Sequence, residues 1–321
     1  MSSILECIRT VGRGERGRRP LTFEQAYQVM DEYLAGQIDD DQMAMLMMLI
    51  RVQNETREEI AGFVRAFQSR VPNLGATYDW PCYAGKRASA GKPWHLLAAK
   101  ILAGQGEKVV LHGFHEAGNG REHAENYLQA VGIYRADSVA DAQESLQTQS
   151  IVYLPLEAFA PQAARMLAWK ARYGLRTPVN TVVRALNPGG AEFGIRGSFH
   201  PGFQQLHAEV EHSVGHPGHA VISFKGVSGE SEYNPKVSQT VWLSSEQGVQ
   251  SFYWPEQFLS DLPIPNTCPL GTPAEEMTLM ANAVLSTLAT MLFTRYQDRE
   301  KAFAEAFAYW MAYCSDDCSF V

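Results

Sequence analysis

Cysteine is scarce and scattered: Cys7, Cys82, Cys268, Cys314 and Cys318 are the five, and no two make a C-x-x-C pair. That excludes a disulfide-stapled scaffold and a zinc site built on paired cysteines, and leaves reduced, mostly buried thiols as the expectation. Long apolar runs are also missing. The longest strongly apolar stretch, Met43 to Ile50, is far short of the ~20 residues that cross a bilayer. The opening MSSILECIRTVGRG has no charged segment followed by an apolar one, so no signal peptide is expected. A cytoplasmic protein with no membrane partner follows as the expectation. Positive charge is in deficit, with 27 Lys and Arg against 35 Asp and Glu and a net charge of −8. This counts against a uniformly basic nucleic-acid protein and leaves room for a local basic groove. The 321 residues, 45% hydrophobic and 19% charged, suffice to bury a core without staples.

The first seventy residues read as short helices. Thr22 with Gln25, Asp39 with Gln42 and Thr56 with Glu59 each have capping-box spacing, and Gly36 suits the end of the first of these helices. The nearly all-round apolarity of QMAMLMMLIRVQ predicts a helix buried on several sides. After a linker rich in Pro, Gly and aromatics, helices alternate with apolar runs. HLLAAKILAGQG, REHAENYLQAVGI and PQAARMLAWKARYG read as helices; KVVLHG, SIVYLPLEAF, HAVISFKG, TVWLS and QSFYW read as strands. Thr272, Pro273 and Glu275 predict the start of a long C-terminal helix. The fold class is α/β: a small all-helical lobe, 1–75, packed on a larger α/β lobe, 76–321, whose central sheet is flanked by helices. Some helices of the larger lobe, about 165–190, are candidates to join the helical one.

Gly12, Gly14 and Gly17 spell G-x-G-x-x-G, but no strand precedes them, so a flexible cationic loop is the better reading. His200, His207, His212, His216 and His219 are dense, yet Gly215, Pro217 and Gly218 break the helical spacing a metal site would need. Glu230 and Glu232 follow a strand, where α/β enzymes often hold Mg²⁺. Basic residues cluster despite the net charge. From Phe159 to Ala191 the chain carries Arg165, Lys170, Arg172, Arg176 and Arg184 with no acid; Lys86, Arg87 and Lys92 are interleaved with Tyr83 and Trp94. If these segments converge they make a phosphate-binding surface with aromatics for stacking; if not, they are solvated faces.

The order of motifs resembles the anthranilate phosphoribosyltransferase family. Thr22 to Arg70 looks like its helical dimerisation lobe, Lys108 to Gly113 like its K-H-G turn, and RYGLRTPVNTVVRALNPGG like its G-x-R-T-x-x-N and N-P segments. The resemblance implies that fold and a homodimer, with a pocket including Tyr83, Gly113, Asn180 and Asn187. It also shows departures. The family's glycine-rich G-T-G-G-D diphosphate loop is replaced by a stretch holding Trp80, Pro81, Tyr83, Gly85, Lys86 and Arg87, and its adjacent Asp-Glu metal pair by Glu230-Ser-Glu232. The pattern is similar to the divergent second-type branch, which lacks anthranilate transfer and has nucleic-acid-binding members. On that basis no cofactor is expected, nucleic acid is the expected partner, and Lys86, Arg87, His112, Arg165, Lys170, Arg172 and Arg184 are the candidate contacts. No catalytic residue is assigned. Two alternatives stay open: a Mg²⁺-dependent transferase using phosphoribosyl pyrophosphate with another acceptor, Glu230 and Glu232 holding the metal, and a dimeric protein-interaction scaffold.

Overall fold

The computed structural model describes residues 3–268 and 270–315. Four helices open the chain: α1 (Ser3–Gly12), α2 (Phe23–Leu34), α3 (Asp40–Gln53) and α4 (Arg57–Gln68). Complete capping boxes start α2 and α4, at Thr22 with Gln25 and at Thr56 with Glu59. Asp39 precedes α3 without a side-chain cap hydrogen bond, so only the boundary, not the box, is realised there. Helices α2 and α4 approach so closely that a Cβ on Gly62 would lie 2.5 Å from the Phe23 carbonyl oxygen and 2.7 Å from the Ala26 Cβ. Gly62→Ala should force the pair apart and cost about 1–3 kcal/mol. The expected reading is a lower urea midpoint at unchanged slope; an unmoved midpoint would contradict the contact.

The rest of the chain supplies β1 (Tyr78–Cys82), β2 (Lys86–Arg87), α5 (His95–Gly104), β3 (Val109–Gly113), β4 (Arg121–Glu122), α6 (Val139–Gln149) and β5 (Ile151–Pro155). There follow α7 (Leu156–Phe159), α8 (Pro161–Tyr173), α9 (Val179–Val182), β6 (Phe193–Ser198), α10 (Phe203–Val214), β7 (Ala220–Lys225), β8 (Gln239–Ser245), β9 (Gly248–Trp254), α11 (Met277–Tyr296) and α12 (Arg299–Ser315). The main sheet has the order β5-β3-β1-β6-β7-β8-β9, parallel through β7 and closed by the antiparallel β8–β9 hairpin. Strands β2 and β4 form a separate antiparallel pair.

Alternation along the central strands separates two cores. Val110, Val152 and Leu154 face the helical lobe, while Tyr78, Trp80, Val109 and Leu111 pack towards α5 and α11. Helices α8 and α9 share the first core, with Trp169 edge-on to Tyr33 at 6.3 Å between ring centres. The long α11 is apolar enough over its length to cross a bilayer, but 89% of that stretch is buried inside the fold. It is a core helix, and a longer apolar run than Met43 to Ile50.

Four expectations are corrected. REHAENYLQAVGI is not a helix: Arg121 and Glu122 pair as β4 and the remainder makes 3₁₀ turns ended by a left-handed Gly132. Thr272 does not cap α11, because its hydroxyl accepts from Trp94 Nε1 at 2.9 Å; a 3₁₀ turn intervenes and α11 starts at Met277. Helix α3 is not covered all round, with Met45 56% and Val52 67% exposed. Finally, β1 lies in the stretch read as a linker, and β6 in one to which the hydrophobic pattern assigns no element.

Candidate functional site

Strand β1 comes first in the chain and lies mid-sheet, with the chain crossing first to β3 on one side and later to β6 on the other. Such a reversal leaves a crevice at the carboxyl ends of the strands. A cavity of about 90 Å³ opens there, between the loops after β1 and β6 and the helical lobe; Arg51, Ala84, Arg176, Arg184, Phe199 and His200 are among its walls.

The loop after β1 turns at Gly85 with φ 63° and presents its backbone amides inward. Those amides are already taken. Ala84 N donates to Glu230 Oε1 at 2.8 Å and Gly85 N donates to the same oxygen. Glu230 is 1% exposed, so a carboxylate of the chain itself sits where two convergent N–H groups would otherwise serve an anionic ligand. Glu232 is equally buried. It pairs with Lys86 Nζ and accepts from His95 N at 2.9 Å. Burial alone would raise its pKa, but Lys86 and His95 hold it below the usual carboxylate range.

These partners decide the Mg²⁺ question. A Mg²⁺ ion needs unencumbered oxygen ligands and keeps several waters. Glu232 is ion-paired with a buried lysine, and Glu230, bound through Oε1 to two amides, leaves Oε2 alone unpartnered, so the two carboxylates do not act together as a Mg²⁺–diphosphate pair.

Lys86 is not a surface cation. Its side chain is fully buried, donates to the Lys92 carbonyl at 2.6 Å and lies 4.1 Å from the Trp94 ring centre. Arg87, by contrast, is exposed, with its guanidinium 5.5 Å from the Phe199 ring. Arg121 donates to the Gly85 carbonyl at 3.0 Å, and Arg184 to the Gly197 carbonyl at 2.8 Å. Burial lowers the pKa of Arg121, and the charges of Arg176 and Arg87 lower it further. Burial also lowers Arg184, with Glu230 opposing and Arg176 reinforcing the shift. Arg121 thus lies in the field of Arg176 and Arg87, and Arg184 in that of Arg176; of these four, Arg176 and Arg184 line the cavity.

The other sequence candidates scatter. Arg165 belongs to the helical lobe, 3.2 Å from Asp40 and 3.1 Å from the Tyr33 hydroxyl. Lys170 pairs with Glu116, and Arg172 is exposed beside Tyr173. Asn180 lines the cavity. Asn187 does not; its side chain clasps Ala191 N and O at 2.9 and 3.0 Å, a structural loop closure. Gly113 is required by packing, since a Cβ there would lie 2.3 Å from the Cys82 carbonyl oxygen. His112 is buried, its Nδ1 2.7 Å from the Tyr83 hydroxyl and its Nε2 3.2 Å from Asp79.

That contact begins a buried ionic chain. Asp79 lies 2.7 Å from Arg196, Arg196 is 2.6 Å from Glu211, and Glu211 is 3.0 Å from His219. Arg51, Arg121, Arg176 and Phe199 were missed as site residues. Arg176 stands in the acid-free run, whereas Arg51, Arg121 and Phe199 carry no such signal. The histidine-rich stretch does not form one cluster: His200 and His207 line the crevice, while His212, His216 and His219 line a separate cavity. His207 is buried and neutral, its pKa pulled well down by burial, while His200, His212 and His216 are exposed. The G-x-G-x-x-G stretch follows a helix and forms a turn, without the strand a dinucleotide site requires.

Residues 5–71 match the glycosyl transferase family, helical bundle domain. The chain is 29% identical over 201 residues to an anthranilate phosphoribosyltransferase of Geobacillus stearothermophilus, covering 61% of this chain and 58% of that protein. It thus spans less than two thirds of that relative's length. It is 26% identical over 254 residues to the Escherichia coli uncharacterized protein YbiB, covering 77% of this chain and 78% of the other. Among solved structures, the anthranilate phosphoribosyltransferase (TrpD) of Thermus thermophilus has a TM-score of 0.71 at 20% identity over 98% of this chain and 96% of that one. The Saccharomyces cerevisiae enzyme in complex with PRPP and Mg gives 0.66 at 14% identity over 99% and 98%. Helical bundle, sequence matches and whole-chain fold agree: the chain carries a glycosyl transferase family helical bundle and is similar in sequence and fold to the anthranilate phosphoribosyltransferases.

Proposed function

We propose that this phosphoribosyltransferase-like chain has lost anthranilate transfer and binds nucleic acid along the arginine-rimmed crevice. The carrying observation is Glu230 Oε1 on the Ala84 and Gly85 amides. A diphosphate would have to displace a buried carboxylate and then face Lys86 already neutralised by Glu232. Arg176 and Arg184 line the same crevice, Arg87 and Arg121 face each other on the β2–β4 pair, and this set suits a phosphate backbone, with Phe199 and His200 at the crevice edge for stacking. Anisotropy titrations with single- and double-stranded oligonucleotides at low and physiological salt test this reading, alongside calorimetry with phosphoribosyl pyrophosphate and Mg²⁺. Salt-sensitive oligonucleotide binding with a flat calorimetric trace is expected. Mg²⁺-dependent binding of phosphoribosyl pyrophosphate without oligonucleotide binding would favour the transferase.

The same reading includes a homodimer through the helical lobe. Met45 and Val52 are seven residues apart, on one face of α3, and both are exposed. Met45→Glu with Val52→Glu should convert a dimer to a monomer in light scattering without altering helix content. A mass unchanged by the double substitution would place any dimer contact elsewhere.

A further inference from the structure

Beside the crevice, three different donor types converge in the core. One ligating atom each from Cys82, His95 and Glu230 lies within 4.8 Å of the other two, and all three residues are buried. We propose that Cys82, His95 and Glu230 form a buried site for a zinc-class divalent transition metal.

The first support is distance. Cys82 Sγ and His95 Nε2 are 3.6 Å apart. Tetrahedral zinc with ordinary Zn–S and Zn–N bonds separates those two donors by about 3.6 Å. The second is orientation. His95 Nδ1 faces Glu232 Oε2 at 3.3 Å, the carboxylate–imidazole pairing that fixes a ligating histidine and leaves its other nitrogen for metal. Glu232 is in turn held by Lys86. The third is an unmet polar atom. Glu230 is anchored through Oε1, while its Oε2 is buried with no hydrogen-bond partner. A cation satisfies that oxygen without disturbing the two amide bonds.

Thiolate, imidazole and one carboxylate make a mixed set preferred by zinc, cobalt or copper over Mg²⁺. Binding displaces the thiol proton to solvent: S–H breaks, S–metal forms, and no electron moves.

The test uses the full chain, stripped with chelator and titrated with Co²⁺ alone. The expected result is one equivalent bound, with a thiolate-to-cobalt charge-transfer band in the near ultraviolet and visible bands of tetrahedral intensity. Zn²⁺ should abolish both in competition. Cys82→Ser should remove the charge-transfer band while leaving the circular dichroism intact, and Glu230→Gln should weaken Co²⁺ binding at least tenfold. Cys268→Ser and His216→Ala should change nothing. Absence of the band in the parent protein, or its persistence in Cys82→Ser, would overturn the proposal. If Cys82→Ser fails to fold, the loss of affinity in Glu230→Gln decides it.

Discussion

Replacing Arg87, Arg121 and Arg176 together with alanine should lower oligonucleotide affinity by about a thousandfold at low salt. Each charge-assisted contact to a phosphate is worth about 1.5–3 kcal/mol before non-additivity. The salt dependence gives the sharper reading. Each lost phosphate contact removes about one from the slope of log affinity against log salt, so the triple variant should flatten that slope by about three. The three residues are suited to removal because Arg87 is exposed, Arg176 is exposed at the crevice, and Arg121 spends only one donor, on the Gly85 carbonyl. Arg165→Ala is the control. It bonds within the helical lobe to Asp40 and Tyr33, so its loss should leave the slope unchanged. Equal loss on single- and double-stranded probes indicates backbone recognition. A triple variant with unaltered affinity would exclude the crevice as the binding surface, and a deficit in Arg165→Ala as large as in the triple would move binding to the helical face.

The helical lobe was legible in the sequence because its information is local. Capping residues and a 3.6-residue apolar period mark α2 and α4 without reference to anything distant. Strands β3, β5 and β7 were legible for a related reason, since parallel strands buried on both faces read as continuous apolar runs. The two strands that flank the crevice were not. Strand β1 contains Asp79 and Pro81, and β6 contains Gly194, Arg196 and Gly197. Charged and strand-averse residues disguise a buried strand when their partners are remote in sequence: Asp79 is compensated by Arg196 and His112 from the neighbouring strands. Charge arithmetic located the acid-free run but could not say that Lys86 points inward onto Glu232 while Arg121 joins Arg87. Glu230 and Glu232 stand out in the sequence as a pair after a strand. Their roles depend on which amides and cations face them, which a linear pattern does not encode.

The ions that disguise β1 and β6 also yield the largest stability effect expected in the molecule. Arg196 is fully buried between Asp79 and Glu211, 2.7 and 2.6 Å away. Arg196→Met keeps much of the volume but leaves two buried carboxylates without their shared cation, and breaking such a network costs about 3–5 kcal/mol. The pH dependence distinguishes this from a packing defect. Burial by itself would raise Asp79 and Glu211, but His112 and Arg196 outweigh it at Asp79, and Arg196 and His219 at Glu211, so both lie below the ordinary carboxylate range. A carboxylate with a lowered folded pKa binds its proton more weakly folded than unfolded. Its stabilising contribution is therefore complete above the unfolded value of about 4 and is lost as pH falls through that value towards the folded one. In Arg196→Met the same acids accept protons more readily in the folded state, because the countercharge is gone. The stability gap between parent and variant, measured by urea unfolding, should be widest near neutrality and should narrow as acid protonates the orphaned pair. Arg196→Lys, which keeps the charge but not the two-pronged geometry, should recover part of the loss. A gap that stays constant from neutral to acid pH would assign the effect to packing alone, and a loss under about 1 kcal/mol would show that the buried ions do not stabilise one another.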